Sequence, residues 1–131
     1  MNRREIREQI FKMLFRTEFY EKEEIEEQIQ ISMEELEEKD EEKRTYIEQK
    51  LREIYRLQEE IDAAVNEKAT GWKTNRMAKV DLALIRLAVY EIKYEAEIPT
   101  GVAINEAVEL AKVYSSDGAP SFVNGVLAKL V

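Results

Sequence analysis

Apolar positions recur at three- and four-residue steps along nearly the whole chain, a spacing that predicts helices and not strands. Asn2 can cap a first helix running to about Tyr20, with Ile6, Ile10, Met13 and Thr17 on one side and Leu14 at its edge. A second helix is predicted from about Glu23 to Glu38. Asp40 can cap a third, long one reaching Lys68, in which Ile47, Leu51, Ile54, Tyr55, Gln58 and Ile61 mark the buried side. The segment "ATGWKT" interrupts the pattern, with Gly71 as its natural terminator. The helix that follows is apolar on almost every side between Val80 and Ile92, which places it at the centre of the fold. "IPTG" makes the next break, "VAINEAVELAKVY" forms another helix, and "SSDGAP" leads into the last, with Pro120 suited to its first turn. That last helix has two oddities. Asn124 and Gly125 are poor helix formers, and Phe122 lies at the rim of the face made by Val123, Val126, Leu127 and Leu130.

Composition sharpens this picture. With 4 Gly and 2 Pro in 131 residues, the expected fold class is all-α, and the length suits a single domain. The absence of cysteine excludes disulfides and thiolate chemistry. The absence of histidine removes the commonest general base and metal ligand. Helical di-metal sites rely on Glu-x-x-His pairs, so no metal or cofactor is expected. No apolar run approaches the length of a membrane span, and "MNRREIREQI" has no signal-peptide core, so a soluble, cytoplasmic protein is expected.

The net charge of −8 is unevenly placed. Residues 21–42 are strongly acidic, with Lys22 and Lys39 their only cations, whereas the first sixteen residues carry Arg3, Arg4, Arg7, Lys12 and Arg16 against Glu5 and Glu8. Charges are screened beyond about 8 Å at physiological salt, so a basic helix can bind an anion within an acidic protein. On a helical projection Arg3, Arg4 and Arg7 fall beside Phe11 and Phe15, with Lys12 just beyond. Cations interleaved with rings suit single-stranded RNA, whose phosphates the guanidinium groups hold while the rings stack on bases. The plainer alternative is that Phe11 and Phe15 widen the apolar stripe and the arginines pair with Glu5 and Glu8. Arg86 presents a similar choice inside the apolar fifth helix. A buried guanidinium needs a carboxylate such as Glu106, or a surface where it meets an anion, which makes it a candidate RNA contact.

The segment "IPTGVAINEAVELAKVYSSDGAPSFVNGVL" closely resembles the C-terminal signature of the NusB transcription antitermination factors. "LIRLAVYEI" looks like the family's central helix, and "RREIREQIFKMLF" like its Arg-rich first helix. The resemblance implies two three-helix-like subdomains packed side by side, about residues 1–66 and 67–131, and no enzymatic activity. It further implies binding of boxA, a single-stranded element of nascent ribosomal RNA, together with the ribosomal protein NusE, in a complex that helps RNA polymerase read past terminators. By the same resemblance, RNA contacts fall on Arg3, Arg4, Arg7, Phe15 and Phe122, and the partner surface on Asp81, Asp117 and Gly118. On this reading Gly125 lets a neighbouring helix backbone approach and Asn124 ties the loop or helix start, fixing Phe122 as a stacking platform; the plainer alternative is that Phe122 only seals the subdomain junction. A NusB-like domain fused to an RNA methyltransferase is a related possibility, but no glycine-rich cofactor-binding segment is present. A structural helical adaptor would explain the acidic helices and leave the clustered arginines unexplained.

Overall fold

A computed structural model describes all residues 1–131 and contains seven α-helices and no strand. They are α1 (Arg3–Thr17), α2 (Ile25–Glu35), α3 (Glu41–Arg56), α4 (Gln58–Lys68), α5 (Lys79–Tyr94), α6 (Thr100–Tyr114) and α7 (Ala119–Ala128). Single 3-10 turns occur at Lys22–Glu24 and Thr74–Arg76. The chain divides into two units, Met1–Arg56 and Leu57–Val131. The division falls ten residues earlier than the boundary near residue 66 that the resemblance implies, because α4 belongs with the C-terminal helices.

In the first unit, α1 opens with a reciprocal cap. The Asn2 side chain accepts from the Glu5 amide and the Glu5 carboxylate accepts from the Asn2 amide, both at 2.8 Å. This satisfies two backbone donors that a helix start otherwise leaves open. Ile10, Phe11, Met13, Leu14 and Thr17 are buried against α3, whose Ile47, Leu51 and Ile54 are fully enclosed. Phe11 is therefore core, as the plainer sequence reading has it. The helix stops at Thr17 and not at Tyr20. Thr17 turns its hydroxyl onto the Leu14 carbonyl at 2.6 Å, and the following amides make only short-range turn bonds. The acidic α2 is held by a few cations. Arg52 grips both oxygens of Glu26 at 2.6 and 2.9 Å and also bonds Glu48, while Arg16 reaches Gln28 and Glu35. Arg44 donates to the carbonyls of Met33, Leu36 and Glu38, which closes the C-terminal end of α2 without a glycine.

In the second unit, α5 is buried from Asp81 to Val89 and packs on α4, α6 and α7. The single long helix expected over residues 41–68 is two helices. Leu57, at φ −91° and ψ 6°, leaves the helical register and separates them, and the Ile61 amide restarts the ladder on the Leu57 carbonyl at 2.9 Å. Neither Gly nor Pro marks this break, so the apolar spacing runs through it unbroken. Gly71, at φ +90°, makes the left-handed turn after α4 that an L side chain resists. The turn that follows is pinned by Asn66, which accepts from the Thr74 amide at 2.8 Å and donates to its hydroxyl at 3.2 Å. No buried side-chain nitrogen or oxygen lacks a hydrogen-bond partner.

Candidate nucleic-acid interface

The first patch is the N-terminal half of α1. Arg3 and Arg4 are exposed in its opening turn, Arg7 is half-buried one turn on, and Lys12 is exposed. Arg4, Arg7 and Lys12 each also interact with another group of the chain. A cation in the first turn of a helix opposes the helix dipole, at a cost of roughly 0.3–1 kcal/mol each. The dipole thus disfavours Arg3 and Arg4 where they stand, and the Asn2–Glu5 cap offsets the unfavourable placement. Spacing by four continues the Arg3–Arg7 row into rings. Phe15 stacks on the buried Phe11 with centroids 6.3 Å apart and meets Phe19 edge-on at 5.0 Å. Phe15 is half-buried and Phe19 is exposed, so the row runs from guanidinium groups to rings along one side of the first unit. Phe19 continues the four-residue spacing of Arg3, Arg7, Phe11 and Phe15 by one more step, a step the sequence reading did not take.

The second patch lies in the C-terminal unit around Phe122. Its ring is half-buried and meets that of Trp72 edge-to-face, with centroids 5.1 Å apart and planes at 73°. Trp72 follows Gly71 on the pinned turn and is 53% exposed. Its position between a terminating glycine and Lys73 was the available signal, and helix periodicity, which is silent in turns, could not use it. The Asp81 carboxylate, in the first turn of α5, is buried and accepts from the Ser115 hydroxyl at 2.6 Å. That bond ties α5 to the loop carrying the exposed Asp117 and Gly118, so the three predicted partner residues converge on one end of the unit.

Three expectations are corrected. Arg86 is enclosed in a carboxylate pair with Asp62 and does not face solvent as an RNA contact would. Its Nε and Nη2 donate to the two carboxylate oxygens of Asp62 at 2.8 and 2.7 Å, and its side chain is 7% exposed. The charge-assisted fork joins α4 to α5 and leaves the guanidinium no route to a phosphate. Gly125 admits no neighbouring backbone, since it is exposed and nothing lies within 4 Å of where its Cβ would sit. Asn124 is likewise exposed, one residue outside the buried face of Ala119, Val123, Val126 and Leu127, and ties neither loop nor helix start.

No three carboxylates gather into a metal site, and no helix is long and apolar enough to cross a membrane. Fold and surface together define an all-helical protein that presents cations and rings on its surface. The chain belongs to the NusB family, whose profile matches residues 4–131. It is 60% identical over 129 residues to the transcription antitermination protein NusB of Agathobacter rectalis, covering 98% of both chains. Among solved structures, T. maritima NusB superposes with a TM-score of 0.87 at 35% identity, over 99% of this chain and 90% of that one. A NusB in complex with NusE and double-stranded RNA superposes at 0.84 with 26% identity, over 98% and 94%.

Proposed function

We propose that this chain is a cytoplasmic, non-enzymatic transcription antitermination factor that binds boxA-type single-stranded RNA of nascent ribosomal transcripts together with NusE, within the antitermination complex on RNA polymerase. The observation that carries the reading is the placement of Arg3 and Arg4 in the first turn of α1, where they oppose the helix dipole and serve a ligand better than the fold. Arg7 and Lys12 extend the phosphate-holding row, and Phe15 and Phe122 supply half-exposed rings. The relation to a NusB solved with NusE and RNA supports the same partners. Exposed rings favour a strand whose bases are unpaired, because stacking needs an accessible base face. Asp117 and Gly118, on the loop that Ser115 ties to Asp81, form the NusE-facing end.

A gel-shift titration with a boxA-type oligoribonucleotide and with its duplex, each with and without NusE, tests this. The single strand is expected to bind more tightly than the duplex and more tightly again with NusE, since two basic surfaces then share one strand. Equal affinity with and without NusE would count against the shared-strand arrangement.

A further inference from the structure

Beside Phe122 the C-terminal unit holds a cleft of about 280 Å³, lined by Trp72, Lys73, Arg76, Met77, Asp81 and Phe122 among others. Its size falls just under the usual range of drug-sized sites, which suits one flat ring system. The wall is built, not incidental. Gly71 at φ +90° sets the turn, the Trp72 amide donates to the Ala69 carbonyl at 3.0 Å, and Thr74 is locked to Asn66. The 3-10 turn then closes through the Arg76 amide on the Lys73 carbonyl at 3.0 Å. Phe122 contacts the Trp72 ring edge-to-face, and Trp72 stays 53% exposed. Lys73 and Arg76 are both exposed and have no ion-pair partner within the chain. In the first unit, by contrast, Arg16, Lys43, Arg52 and Arg56 are each matched to a glutamate.

The geometry points to a nucleotide subsite in which one unpaired RNA base stacks on Trp72 beside Phe122, while Lys73 and Arg76 hold the adjoining phosphates. This assignment rests on the RNA-binding reading and adds three residues to it. Charge sorts the two halves of the nucleotide. The Asp81 carboxylate lining the cleft repels a phosphate there, so the base enters and the phosphates stay outside with the two cations. A ring with one accessible face and unpaired cations beside it is the arrangement by which proteins take single strands without reading sequence.

Trp72 is the only tryptophan of the chain, so its emission reports on the cleft directly. The full chain is titrated with a 5′-labelled boxA-type oligoribonucleotide, following label anisotropy and tryptophan emission together. The emission is expected to quench along the same isotherm as the anisotropy. Trp72→Ala is expected to bind about 5- to 150-fold more weakly, and Trp72→Phe to retain most affinity. Lys73→Ala and Arg76→Ala should each flatten the slope of log K against log salt by up to about 0.7. Circular dichroism confirms that each variant is folded. Saturating anisotropy with unmoved emission, or a folded Trp72→Ala that binds like the parent, overturns the subsite and leaves the RNA reading standing. Emission that responds to NusE in place of RNA makes the cleft a protein-docking surface and also overturns it. No anisotropy change with or without NusE overturns the RNA reading and the subsite with it.

Discussion

Gly125 has an ordinary helical backbone and open space where a side chain would begin, so its cost to α7 is purely one of propensity. Gly125→Ala should therefore stabilise the protein by about 0.5–1 kcal/mol, seen as a thermal midpoint a few degrees higher. A lower midpoint would mean that a neighbour occupies that space. The sequence suggested close packing there because a glycine inside an apolar helix has two explanations, approach or tolerance, and only neighbouring atoms separate them. Phe122 differs, because its ring has a defined partner in Trp72. Phe122→Ala should cost about 1–3 kcal/mol of RNA affinity while leaving the salt slope nearly unchanged, as expected for lost stacking without lost charge. Phe122→Trp should keep most of the binding. A folded Phe122→Ala that binds RNA like the parent would reduce the ring to packing.

Pairs of elements hold the charges that a linear reading cannot assign. Asp62 and Arg86 are 24 positions apart and meet because α4 packs on α5. From the sequence, Glu106 was an equally good partner, since periodicity gives the face of a helix but not its neighbour. Removing Asp62 takes the bidentate partner from a largely enclosed guanidinium, so Asp62→Ala should lower stability by about 3 kcal/mol in denaturant titration. RNA affinity of the folded variant should be unchanged. A loss of RNA binding at full stability would instead return Arg86 to the RNA surface. The buried α5, the Asn2 cap and the Pro120 start were legible because each is encoded within a few residues. The break at Leu57 was not, because the buried Leu57 satisfies the apolar spacing on both sides and neither Gly nor Pro marks its departure from helical geometry. The arginine face of α1 was visible in the sequence, whereas Phe11 proved to be core, since a projection gives direction and not depth.

Over the whole molecule, three carboxylates are held below the ordinary glutamate value of 4.5. Hydrogen bonds do this at Glu26 through Arg52, at Glu38 through the N-terminal ammonium, and at Glu53 through Arg56. A carboxylate whose folded pKa is depressed adds stability above its unfolded pKa and loses it as pH falls through the folded one. The thermal midpoint should therefore be flat with respect to these groups near neutrality and decline below about pH 4.5. Added salt should shrink the decline, because the Glu26–Arg52 and Glu53–Arg56 pairs are exposed. A midpoint that rises on acidification would contradict this assignment. At neutral pH the net charge of −8 repels RNA at long range, so binding depends on the local basic face of α1. The salt dependence of boxA-type RNA binding, compared between the parent and a folded Arg3→Ala/Arg4→Ala/Arg7→Ala variant, tests that claim most directly. Each lost phosphate contact to a single strand removes about 0.7 from the slope, so the variant should bind weakly with a slope flatter by up to about 2. An unchanged slope and affinity in the triple variant would contradict the account, because the phosphates would then be held somewhere other than α1.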